Sequence, residues 1–330
     1  MAIVHSERCV VCGHTKLGEA DVIVTMVACD GRQVRAVAKG LRRTKSRFGA
    51  RLEPFAVVDV MLHPGRTLET VTDVRSAVPN AACREGVASP AAASVVCEFA
   101  DKLTRDGAAA GERTFELICA TLEAIGAVGE GYAGAAEAGG AVDAGHAGSS
   151  LGIADGAPGI VDGASGIADG ASGGAGGDAA EPADGSGGGG AAADAYRSDG
   201  SDAAAVLASA FVVKAMAMQG LRPATRECAL CGSPLALSAA GGSSPESSPA
   251  AIDIAAGGCV CAACAGVSNA RGDFDASLVP WVDALVELRL RELADAHGAP
   301  ARSLLDFSCV WAEVHLGIRL KSAAFLRGLL

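Results

Sequence analysis

The sequence predicts an α+β, multidomain chain: a small β-barrel at the amino end, followed by a helical domain with an inserted four-cysteine element. Three observations carry this reading. Residues 1–80 hold about five short β-type runs, the hydrophobic period lengthens from two to 3.6 near Ser89, and two Cys-x-x-Cys pairs interrupt the later helical pattern.

The strands come first. Val22–Cys29 is rich in β-branched side chains, Asp30-Gly31 is a hairpin turn signal, Gln33–Ala38 alternates, Ala56–Leu62 is another run, and Gly65 precedes Leu68–Val74. About five strands in so short a span suit a barrel. An OB-type barrel is the leading choice because its loops and one face commonly hold single-stranded nucleic acid, but an SH3-like barrel has the same strand count and periodicity does not separate them.

Between two of these strands lies Lys39–Phe55, KGLRRTKSRFGARLEPF. It carries Lys39, Arg42, Arg43, Lys45, Arg47 and Arg51 with no acid until Glu53. Positive charge that dense repels itself, so it is favourable only when solvated or facing a polyanion. Residues 1–98 contain only two aromatics, Phe48 and Phe55. Binding there leans on charge; Phe48, inside the basic run, is placed to stack on a base, and Phe55 reads as core. The net charge of −11 does not oppose this, because residues 133–204 hold eleven acids against Arg197 alone, a net −10. Charge distribution, not the total, decides nucleic-acid binding.

Ser89-Pro90 reads as a helix start, with Ser89 as N-cap, Pro90 at the first helical position and Ala92, Val95, Val96, Phe99 and Leu103 on one face. A second helix carries Phe115, Ile118, Leu122 and Ile125, with Gly126 and Gly129 marking its end. Residues 133–204 are low complexity, with GIADGAP, GIVDGAS and GIADGAS repeating from Gly152, Gly159 and Gly166. The nine-residue calcium-binding repeat is absent, and the expectation is disorder. Helical pattern resumes from Val206 to Met218, then over Val279–Ala296, Arg302–Leu316 and Arg319–Leu329, with Trp281 and Trp311 as core. The expected divisions are 1–80 barrel, 81–132 helical, 133–204 acidic insert, 205–227 helical, 228–264 metal element and 265–330 helical.

Cys228-x-x-Cys231 and Cys261-x-x-Cys264 put two thiolates on each of two turns, enough to surround one Zn²⁺ tetrahedrally and leave no open position, so the metal is expected to be structural. The Ser238–Ala251 stretch accounts for the long spacing between the pairs. Cys259 lies close enough to compete for a position. Cys9-x-x-Cys12 with His14 lacks the context of a deaminase or redox site and reads as strand. No Walker A loop, nucleophile elbow or His/carboxylate constellation appears, so no catalytic residue is assigned. With no amino-terminal signal pattern and no long uninterrupted apolar run, the expected location is cytoplasmic, without a membrane.

The basic run, GEADVIVT at Gly18–Thr25 before it, and the downstream cysteines together resemble the RecO family of bacterial recombination mediators, over residues 1–128 and 205–330. The resemblance implies an OB-fold barrel that binds single- and double-stranded DNA, with contacts from Lys39, Arg42, Arg43, Lys45, Arg47, Phe48 and Arg51. It implies a nucleoid-associated mediator, not an enzyme, that anneals complementary strands and helps load recombinase onto DNA coated by single-stranded DNA-binding protein. RecR and that protein are the implied partners. The order Gly257-Gly258-x-x-Cys261-x-x-Cys264 is similar to the second half of the family's zinc element, which places Cys259 outside the ligand set of Cys228, Cys231, Cys261 and Cys264. A zinc-ribbon transcription regulator and a metal-dependent nuclease are the competing classes.

Overall fold

The computed structural model describes residues 4–46, 48–105, 110–137, 189–236, 248–266 and 274–330. Most of the acidic insert therefore lies outside the described residues.

The first five strands are β1 (His5–Leu17), β2 (Asp21–Ala28), β3 (Gln33–Ala38), β4 (Val57–His63) and β5 (Glu69–Val78). They close into a barrel in the order β1-β2-β3-β5-β4, with β4 returning to β1. All pairings are antiparallel except β3 with β5, where Ala36 faces Glu69 and Val37 faces Thr70. That parallel closure gives the OB-like order which strand counting could not supply. β1 serves two neighbours: its first half pairs with β4, its second with β2, and the register shifts between Val11 and Gly13. A bulge bends a strand, and the bend lets one strand belong to both sides of the barrel.

Alternation sends Cys9, Val11, Val24, Met26, Val58 and Val60 into the barrel. The opposite set, Val10, Val27 and Val57, belongs to the core of the helical region instead. The barrel is thus seated on the helices. The tip of the β2–β3 hairpin is part of the seat: Ala110 N–H donates to Gly31 O at 3.2 Å, and a Cβ on Gly31 would fall 2.3 Å from the Gly111 nitrogen. Gly31 also has φ +84°, so both backbone conformation and space call for glycine.

Helices α1 (Ala88–Leu103), α2 (Glu112–Glu137) and α3 (Gly189–Met218) pack together, with Phe99 and Phe211 edge-to-face at 6.0 Å. α1 starts at Ala88 without a side-chain cap, and Ser89 is buried in its first turn, not the cap. α2 runs past Gly126 and Gly129. Those residues are contact points: a Cβ on Gly129 would meet Ser89 Oγ at 2.8 Å, and one on Gly126 would touch Ala82. α2 and α3 extend into both ends of the 133–204 segment. The stretch Gly200–Met218 is long and apolar enough to cross a bilayer, yet 67% of that window is buried inside the helical core.

A small sheet follows, β7 (Gly258–Cys261), β6 (Pro249–Asp253) and β8 (Phe274–Asp275) in that order, with the short α4 (Ala262–Ala265) after β7. Part of the expected Ser238–Ala251 loop is therefore strand. The expected helix over Val279–Ala296 is broken into α5 (Val279–Glu287) and α6 (Leu290–Ala294). The cause is a cap from elsewhere: Lys214 Nζ donates to Val286 O and Leu288 O at 2.7 Å, and Glu292 then caps the Arg289 N–H to start a new turn. α7 (Ala301–Leu316) packs on α3, its Trp311 buried and donating to Leu221 O at 3.0 Å. α8 (Ser322–Arg327) closes the chain, shorter than the expected Arg319–Leu329.

Candidate nucleic-acid interface and metal centre

The basic stretch leaves β3 through a left-handed turn at Gly40, whose N–H donates to Asp21 Oδ1 at 2.8 Å. Arg42 N–H donates to Ala20 O and its guanidinium to Glu19 O at 3.1 Å, tying the loop to the β1–β2 turn. The loop is then pinned from beneath. Phe48 and Leu52, four residues apart around the short 3-10 turn Gly49–Arg51, both enter the barrel core, Phe48 at 2% exposure. The expectation that Phe48 stacks on a base is therefore corrected. With its ring enclosed in the barrel core it has no face to offer, and it acts as the anchor that holds the loop's cations outward.

Lys39, Arg42, Arg43, Lys45 and Arg51 are all exposed. Arg51 also donates to Val74 O at 3.2 Å. Arg47 lies outside the described residues. Among the described residues no carboxylate comes within ion-pair distance of these five cations, although Arg8 and Arg32 of the barrel are paired, with Asp59 and with Glu7 and Asp30. Two exposed cations that the sequence reading passed over belong to the same strands. Arg35 lies on the outward side of β3 before Lys39, and Lys16 on β1 faces Val22, which faces Ala38 where the loop departs. Each is isolated in sequence, so only strand pairing reveals the grouping.

Phe55 is core, as expected, but in the helical core and not within the strand. It adopts φ +74°, a conformation that costs a non-glycine residue about 1–3 kcal/mol. Its N–H donates to Val11 O and its carbonyl accepts from Asn80 Nδ2, both at 2.8 Å, which holds it there.

The second site is the cysteine cluster. Cys228 and Cys231 occupy a knuckle closed by Gly232, whose N–H donates to Cys228 O, while Cys261 ends β7 and Cys264 lies in α4. The four sulfurs lie within 4.8 Å of one another. Burial alone would raise the Cys228 thiol, but backbone N–H groups of Cys261, Cys231 and Leu230 point at its sulfur and bring it down to about 6. Cys264 moves the other way, to about 12, because the Cys231 and Cys261 sulfurs crowd it. Four thiols this close cannot all ionise unless a cation is shared among them, and a four-sulfur tetrahedral set suits zinc. The donor set fits a metal ion.

Cys259 is 1% exposed and outside this set, its thiol raised to about 12 by burial first and by the Asp283 and Cys228 charges after that. Its backbone joins β7 to the knuckle and to the chain before it, the carbonyl accepting from Ala229 N–H at 2.8 Å and the N–H donating to Ala224 O at 2.7 Å. That chain is tied to α5 through the buried Asp283, which accepts from Thr225 Oγ1 at 2.6 Å and from both ends of the Arg226 guanidinium. Cys9 and Cys12 are not a second metal pair. Cys9 faces the barrel interior and Cys12 the helices, as residues three apart along an alternating strand do.

The histidines stay scattered. His5 comes within 3.4 Å of Glu7, two residues along the same strand, and of Glu69 on β5, and His14 Nε2 lies 2.7 Å from Leu52 O.

Two family models match the chain. One described as "Recombination protein O N terminal" covers residues 1–79, the barrel; one described as "Recombination protein O C terminal" covers residues 194–324, which contain the cysteine cluster and the helices around it.

Proposed function

This chain belongs to the recombination protein O family, and from that premise we propose that it is a non-enzymatic mediator that holds DNA on the barrel's cationic loop, anneals complementary single strands and helps load recombinase. The family makes it a DNA-binding protein of recombination and repair. The observation that supports the placement of DNA is the loop itself. Five exposed cations without acid partners among the described residues are held outward by two buried anchors. An arrangement of that kind favours a polyanion and has little to read bases with.

Single- and double-stranded DNA, RecR and the single-stranded DNA-binding protein are the partners this reading assigns. Zinc at Cys228, Cys231, Cys261 and Cys264 is structural in it: the metal would neutralise the thiolates and lock two knuckles against α5, and the DNA surface lies on the barrel.

Affinity for mixed-sequence single strands, measured from 50 to 200 mM salt, tests the placement. If the loop neutralises about four to six phosphates, log K falls against log salt with a slope of about −3 to −4. Arg43→Glu with Lys45→Glu should flatten that slope by about 1.4 and slow annealing, with the circular dichroism spectrum unchanged. An unaltered slope in this folded variant would move the DNA to another surface.

A further inference from the structure

Outside the cysteine cluster, a second group of thiols gathers where the barrel meets the helices. Cys12 occupies the bulge of β1, on the side that faces the helical core. α1 packs across this part of β1 and presents Cys97, which is fully buried. Both cysteines line one cavity of about 400 Å³, together with His14, Thr25, Glu98 and Ser322. Cys12 Sγ donates to Val10 O at 3.8 Å, and the neighbouring Cys12 thiol, followed by burial, holds Cys97 well above the usual thiol value.

We infer that Cys12 and Cys97 form a peroxide-oxidisable dithiol, a modification site that links strand β1 covalently to helix α1. The order of events follows from access. Cys12 is half-buried and faces the cavity, whereas Cys97 is enclosed, so the small oxidant meets Cys12 first. The Cys12 sulfur attacks hydrogen peroxide, the O–O bond breaks, and Cys12 becomes a sulfenic acid as one water leaves. The Cys97 sulfur then attacks the Cys12 sulfur, its proton leaves with the displaced hydroxide as a second water, and an S–S bond remains. Two thiols are oxidised by two electrons and one peroxide is reduced to two waters. Because the neutral form of Cys97 is favoured, the second step is slow at neutral pH and accelerates as pH rises.

Burial and the shared cavity single out this pair. Cys83 is buried and donates to Leu122 O at 2.9 Å, and Cys9 points into the barrel. Cys119 on α2 lies near enough for its charge to be coupled with that of Cys12, so it is the competitor the test must exclude.

The experiment uses the full chain loaded with zinc. It is exposed to submillimolar hydrogen peroxide at pH 7 and pH 8.5, denatured, alkylated without reductant, digested and mapped by mass spectrometry. The expected product is a peptide joining Cys12 to Cys97, about 2 Da below the sum of its reduced halves, formed faster at pH 8.5 and lost on adding dithiothreitol. In Cys97→Ser, Cys12 should stop at the sulfenic acid, which dimedone traps. A cross-link from Cys12 to Cys119, or Cys12 proceeding to the sulfinic acid in wild type while Cys97 remains alkylatable, would overturn the assignment.

Discussion

The carboxylate of Glu98 offers a sharp test of how the last helix is held. It accepts from Lys102 Nζ at 2.7 Å, from the backbone N–H of Lys321 at 3.0 Å and of Ser322 at 2.7 Å, and from Ser322 Oγ at 2.5 Å. One side chain of α1 thus caps the start of α8. Burial by itself would raise the Glu98 carboxyl, but the Lys102 ammonium, the Ser322 hydroxyl and the two amides reverse that and hold it down at about 2, from an ordinary 4.5. A change of that size corresponds to about 3 kcal/mol of preference for the charged form, and solvent screening reduces it to about 1–2 kcal/mol. Since the folded value is depressed, this stability is fully present above pH 4.5 and is lost as pH falls toward 2. Glu98→Gln should therefore lower urea stability by about 1–2 kcal/mol at pH 7, with the gap reduced to about three quarters at pH 4 and to less than about half at pH 3. Both tryptophans lie in the helical half, so their fluorescence follows the part that unfolds. Metal loss at low pH affects both proteins alike and cancels in the difference. A gap that stays constant from pH 7 to pH 3 would assign the effect to shape and refute the role given to charge.

Metal content discriminates among the cysteines: Cys264→Ser or Cys231→Ser should lower bound zinc below one per chain and raise protease sensitivity around residues 224–266, whereas Cys259→Ser should leave plasma-emission zinc content unchanged. Phe48→Ala should destabilise the barrel by about 3–5 kcal/mol in thermal or denaturant unfolding. Its DNA affinity per folded molecule should nevertheless keep the wild-type salt slope; a variant that is fully folded yet binds with a flatter slope would return Phe48 to the DNA surface.

Alternation made β2, β3 and β4 legible, because each strand's inward set is a local property of its own residues. The order of strands was not, since the parallel meeting of Ala36 with Glu69 joins segments whose pairing no local pattern encodes. The basic run was visible as charge, but its one-dimensional form hid the four-residue step from Phe48 to Leu52 that turns both inward. Four cysteines at a 2-29-2 spacing announced a cluster, and the fold brings those four together with Cys259 held apart. The break between α5 and α6 was invisible for a plain reason: the cap that makes it is Lys214, on a helix far upstream. Gly126 and Gly129 misled because glycine serves equally to end a helix and to let another backbone approach.

The seating of the barrel on the helices has a consequence for biosynthesis. Every strand of the barrel is complete once residue 78 has left the ribosome, but α1 and α2, which pack on it beside Val10 and Val27, are themselves packed on α3, which follows residues 138–188, and through α3 on α7, which ends at Leu316. Loop-closure entropy grows slowly with length, so the long separation costs little at equilibrium. Time is the larger cost. At about 5–20 residues per second, on the order of 10–50 s separate the finished barrel from its cover. Throughout that interval the nascent chain displays an apolar seam along one side of a folded domain, a surface suited to chaperone capture and exposed to contact with neighbouring chains on the same message.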